Sequence, residues 1–355
     1  FAALPIDIKG LETSFDGQTL IFAARVVPEP VDANLENTTW NLWQLDMLTL
    51  EPSYVIPSRI KRNDGVETGG GQDMAPHFLP DDRIVFSSTR QTAEQARQLD
   101  EGRAQLFARQ TEGDDDQPAL VLHIYDPQQR DAEFKQISFN RDHDLDPVVL
   151  TTGGIVFSRW DSDNNHISLY RITPSGLNMS PLFGFDSQDS GTEGSAIEYT
   201  QPRELDDGRI ISLIRSFESP TLGGALAILD IENYAGAGQT LGGVGAAAEG
   251  DGQEPLTDTE IRTDGLLSSG GQFGSVYPLR DGTGRLLVTW TDCRLVEVPN
   301  DIAVEDPPVV EDPPPEEPVE EERIIPCTLG DENDEPADPL YGAWVYDVEG
   351  DTQRP

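Results

Sequence analysis

DLDPVVLTTGGIVFSRWD, residues 144–161, decides the fold, because its pattern returns along the chain. Residues 73–90, DMAPHFLPDDRIVFSSTR, repeat the Pro and the Ile-Val-Phe-Ser block without a gap. Residues 200–215, TQPRELDDGRIISLIR, and 276–290, VYPLRDGTGRLLVTW, are two further copies. In all four the proline stands eight residues before the first apolar residue of the run. A weaker copy, ETSFDGQTLIFAAR, opens the chain at residues 12–25. Repetition on this scale marks a stacked or circular architecture and is read before any site.

Each copy has the same local physics. Asp and Gly form a tight turn, since both tolerate left-handed backbone. The four to six β-rich residues that follow read as a buried strand. A later strand completes each unit: 40–46, 120–126, 167–172, 225–230 and 343–347, several ending in Asp and a turn. No long amphipathic helix appears. These features predict an all-β protein, a β-propeller of four-stranded antiparallel blades. At least five units are visible, with six or seven in a complete ring if a longer parent chain supplies more. Residues 1–355 read as a single propeller domain, with an N-terminal strand at Pro5–Lys9. The excess over a minimal blade falls in insertions at Val26–Thr39, Gln91–Pro118, Tyr234–Gly274 and Pro299–Pro339.

The repeats resemble the WD40-like Pro-Asp-Gly repeat of the TolB propeller family. Residues 153–176, GGIVFSRWDSDNNHISLYRITPSG, resemble more closely a blade of the hydrazine synthase alpha subunit and its relatives. Gln201–Ile210, Tyr277–Trp290 and Tyr341–Asp351 resemble successive blades of that group, in order. The resemblance implies the scaffold. It also implies a cytochrome partner or haem chemistry in relatives that carry Cys-x-x-Cys-His, a motif this sequence lacks.

Composition narrows the function. Lys+Arg total 24 against 65 Asp+Glu, a formal net charge of −41. That field repels phosphate backbones, so nucleic acid is not an expected partner, whereas cations and basic proteins are. No apolar run approaches the roughly 20 residues of a membrane helix. The start at Phe1 and the two cysteines suit an exported protein: periplasmic, cell-surface or extracellular. Cys293 and Cys327 flank a Pro/Glu-rich excursion, residues 298–326, and are expected to form a disulfide at its base. The excursion itself is too acidic and proline-rich to build a core.

The candidate site residues are few. Arg159, Trp160 and Asp161 offer a stacking and charged surface for a ligand or partner. His77, His143, Asp144, Asp146 and Asp163 offer imidazole and carboxylate groups for calcium or another divalent ion. The oxygen-bearing run from Asp161 to His166 lacks the glycine and the final acid of an EF-hand and reads better as a hairpin turn. No nucleophile elbow, P-loop, zinc-protease or dinucleotide motif is present. The sequence therefore points to an exported non-catalytic propeller, a scaffold or protein-interaction subunit that self-assembles or holds protein partners, with no cofactor evident. The alternatives are a subunit of a haem-bearing redox complex and a divalent-metal hydrolase or lyase.

Overall fold

The computed structural model describes residues 6–26, 39–56, 60–61, 67–68, 71–91, 108–109, 116–117, 119–129, 134–217, 219, 221–242, 251–298, 323–331 and 333–354. Among them are five four-stranded antiparallel sheets. Blade I holds β1 (Ile6–Thr13), β2 (Thr19–Val26), β3 (Asn41–Asp46) and β4 (Pro52–Tyr54). Blade II holds β5 (Asp73–Phe78), β6 (Ile84–Ser88), β7 (Val121–Tyr125) and β8 (Lys135–Gln136). Blade III holds β9 (Asp144–Val149), β10 (Ile155–Asp161), β11 (His166–Ile172) and β12 (Ser180–Phe183). Blade IV holds β13 (Ile197–Glu204), β14 (Ile210–Ser216), β15 (Ala225–Leu229) and β16 (Gln253–Pro255). Blade V holds β17 (Gln272–Pro278), β18 (Arg285–Thr291), β19 (Gly342–Asp347) and β20 (Thr352–Arg354). In each blade the strands pair in chain order, with the first strand innermost. The strand expected at the N-terminus is thus the inner strand of blade I.

The unbroken apolar runs of the second strands follow from their position between two neighbours. Successive side chains point to opposite faces, so the runs of blades II, III and IV each feed two cores. Ile84 and Phe86 pack with blade I, while Val85 packs with blade III. Ile210 and Ile214 pack with blade III, while Ile211 and Leu213 pack with blade V. Apolar clusters formed this way join I to II, II to III, III to IV and IV to V.

The repeated aspartates have a local purpose. After the first strands, Asp16, Asp81, Asp207 and Asp281 each accept the backbone N–H two residues on. After the third strands, Asp46, Asp126, Asp230 and Asp347 do the same. These Asx turns satisfy donors that no strand partner reaches. The repeated prolines sit in β-bulges of the inner strands. Ala75, Asp146 and Gln201, at φ 49°, 48° and 49°, precede Pro76, Pro147 and Pro202. Gly10 takes the same place in blade I, where a Cβ would lie 3.1 Å from the Cα of Ala75. Pro278 departs from the pattern. It closes its strand opposite Leu286, four residues past the bulge at Gly274, because the turn before β18 is longer.

Two insertions differ from expectation. Tyr234–Gly274 contains the outermost strand of blade IV together with a hairpin of Tyr234–Gly236 against Gln239–Thr240. The excursion from blade V begins and ends in a small sheet, Arg294–Val296 pairing with Ile324–Pro326 and with Glu335–Pro336. Cys293 and Cys327 form the expected disulfide at its base, with Cα atoms 5.4 Å apart. Residues 299–322, most of the acidic loop, lie outside the described residues, as do most of Val26–Thr39 and Gln91–Pro118.

Candidate functional site

Four inner strands bring polar side chains to one place near the axis: Glu12, His77 and Arg203, each directly after the bulge of its strand, and Tyr277, three residues past the bulge at Gly274, while Val148, the corresponding residue of blade III, packs in an apolar core. Glu12 is 8% exposed, and its carboxylate gathers the others. Arg203 Nη1 donates to Glu12 Oε2 at 2.9 Å, and the Tyr277 hydroxyl donates to Oε1 at 3.1 Å. His77 Nε2 lies 3.4 Å from Oε2. His77 Nδ1 faces the Phe78 carbonyl at 3.1 Å, and a carbonyl only accepts, so Nδ1 carries hydrogen. A second proton on Nε2 is then what turns the Glu12 contact into an ion pair. Burial opposes that proton and lowers the His77 pKa, while Glu12 raises it. Desolvation likewise raises the pKa of Asp146, countered by Arg203. The axis is therefore a charge network whose members mostly satisfy one another.

At the opposite rim, an acid near the start of the inner strand pairs with an arginine near the end of the second strand. The pairs are Arg25–Asp7, Arg90–Asp73, Arg159–Asp144 and Arg215–Glu198. In blade III this rim opens into a cleft of about 730 Å³ that contains Arg159, Trp160 and Asp161. Trp160 stacks on His143, ring centroids 5.3 Å apart. Arg159 lies 3.7 Å from Asp144, donates to the Phe139 carbonyl at 3.0 Å, and covers the Tyr170 ring. Asp161 caps the hairpin turn between β10 and β11 by accepting from Asp163 N–H and Asn164 Nδ2, which explains the oxygen-rich run there. Phe185, Asp186, Gln188 and Asp189, which follow β12, form the facing wall. None of these four carries a repeat signature, so sequence reading had no signal for them.

The five residues considered for a metal do not come together, and among the described residues no group of three or more His, Cys, Asp or Glu is placed to hold one. His77 follows the bulge of its strand, whereas His143 precedes its own, so the two lie toward opposite rims. His143 Nδ1 accepts the Leu120 N–H at 3.0 Å. Asp144 is fully buried against Arg159 and Asn140, and desolvation raises its pKa to about 6. Asp146 belongs to the axial network, and Asp163 pairs with Arg141 at 2.6 Å.

No protein-family model and no curated protein sequence matches the chain. Among solved structures, hydrazine synthase of Kuenenia stuttgartiensis aligns over 98% of this chain at 14% identity, with a TM-score of 0.52. The fold is a β-propeller. The propeller spans 38% of that hydrazine synthase chain, and the likeness is one of fold alone. TolB from Acinetobacter baumannii aligns at 14% identity over 81% of this chain and 52% of its own, with a TM-score of 0.40. A puromycin-hydrolysing peptidase of Mycobacterium tuberculosis aligns at 9% identity over 98% and 37%, with a TM-score of 0.42. These two looser alignments carry no argument about the propeller's role.

Proposed function

We propose that this propeller is an exported, non-catalytic scaffold or interaction subunit that presents an acidic surface to a basic protein partner. One observation carries the reading: acids far outnumber bases, and four of the arginines are committed to acids inside the fold. Arg90, Arg159, Arg203 and Arg215 all sit against buried acids. With 65 acids against 24 bases, and these four bases paired internally, the outward field is negative. Such a field steers cationic partners and keeps an exposed assembly subunit soluble. The Cys293–Cys327 disulfide supports an oxidising compartment. No helix among the described residues is long and apolar enough to cross a membrane.

Native mass spectrometry with metal analysis and a visible spectrum, on protein isolated from its source, tests the reading. We expect a colourless, metal-free chain held in a salt-sensitive assembly with a basic protein. Stoichiometric haem, a stoichiometric transition metal, or a chain found alone overturns it.

A further inference from the structure

We infer that the blade III cleft binds a guanidinium or ammonium group carried on an apolar stem. This deepens the proposed function by naming what the acidic surface would grip. The cleft's volume, about 730 Å³, falls within the range of small-ligand sites. Its walls offer three aromatic rings, Trp160, Tyr170 and Phe185. Trp160 and Tyr170 are held in place by the His143 stack and the Arg159 guanidinium, so these surfaces are set before a ligand arrives.

The four acids of the lining divide into two kinds. Asp142 accepts both the N–H and the hydroxyl of Ser162, and Asp161 caps its turn. Asp186 and Asp189 are exposed, and among the described residues neither carboxylate has an ion-pair or hydrogen-bond partner. The one arginine in the wall, Arg159, is already shared between Asp144 and the Phe139 carbonyl. Anions are therefore repelled. A neutral apolar ligand would desolvate the acids without compensation. A hard metal ion needs several oxygens converging on one point, which the described residues do not provide. An organic cation needs only a negative field and a ring face; Asp186 and Asp189 give the field, and the exposed Phe185 ring beside them gives the face.

The test is titration calorimetry with three probes: Nα-acetyl-arginine amide, acetyl-Gly-Arg-Gly amide, and the uncharged counterpart acetyl-Gly-citrulline-Gly amide. We expect saturable binding of the arginine probes that weakens with salt. The citrulline peptide should bind at least about tenfold more weakly, as should the arginine probes to Asp186→Asn/Asp189→Asn, with circular dichroism unchanged. Equal affinity for amide and peptide identifies a small organic cation, and tighter peptide binding identifies a protein side chain; either supports the inference. No saturable binding, equal binding of citrulline, or binding unaltered in the double variant overturns it. A natural assembly that persists around a cleft binding no cation overturns the cleft alone. A solitary chain whose cleft binds the amide overturns the scaffold reading alone.

Discussion

Glu12 ties four blades together, since from blade I it accepts from Arg203 and Tyr277 and faces His77 near the axis. Glu12→Ala removes a buried carboxylate and takes an acceptor from the part-buried Arg203 and from Tyr277, a loss on the order of 1.5–3 kcal/mol. Arg25→Ala breaks the Asp7 pair, whose side chains are 23% and 44% exposed, and should cost under about 1 kcal/mol. Urea denaturation of both variants checks the contrast. Buried titratable groups also set a pH dependence. Burial pushes the His123 imidazole down to about 4. Its contribution to stability is full above the unfolded value near ~6.5 and is lost as pH falls toward 4. Asp144, pushed up to about 6, works in the opposite sense: its contribution is full below the unfolded carboxylate value and is lost as pH rises through 6. An NMR titration of His123 should show a midpoint near 4, and a midpoint of 6 or higher contradicts this burial argument. The axial set was legible in principle, because each member pairs opposite the second apolar residue of its repeat's run: Ile21, Val85, Ile211 and Leu287. It was hidden because blade I has Leu11 where other copies have proline, and because Pro278 is displaced.

Among the elements, the strands were the easiest to read, since their apolar runs and Asp-Gly turns are local. What the runs could not reveal was the division of alternate residues between two cores, which depends on neighbours far apart in sequence. The outermost strands are short, two to four residues, and leave little pattern; Gln253–Pro255 was read as part of an insertion for that reason. The ends of the outer strands are still demanding. Gly184 follows β12 at φ 87°, and a Cβ there would lie 2.5 Å from the Tyr199 ring. Gly184→Ala should cost roughly 1–3 kcal/mol through strain and overpacking between blades III and IV, read as a lower denaturation midpoint. The disulfide, legible from the two cysteines flanking the excursion, closes a loop of sequence separation 34. Replacing both cysteines by serine should cost up to about 4 kcal/mol by the loop-entropy account. A thermal melt of that double variant checks the figure.

At the scale of the molecule, five sheets share four apolar seams, and the fifth junction differs in kind. Among the described residues no apolar cluster joins blade V to blade I. That junction is bridged at the axis, where Tyr277 of blade V meets Glu12 and Thr13 of blade I, while Arg203 reaches Glu12 from blade IV. Sequence repetition showed at least five units and left the ring count open, and it could not show how the first unit meets the fifth, because that contact joins residues 265 positions apart through side chains no repeat rule specifies. The same asymmetry bears on function. Four apolar seams join successive blades and polar contacts link the first to the fifth, so the acid-lined cleft of blade III lies between two apolar seams and away from the polar junction. Hydrogen–deuterium exchange on the native chain and on Glu12→Ala tests this account most directly. It predicts faster exchange in Ile6–Thr13 and Gln272–Pro278 of the variant, with β6, β10 and β14 unchanged. Exchange that rises equally in all five blades, or in none, would contradict it.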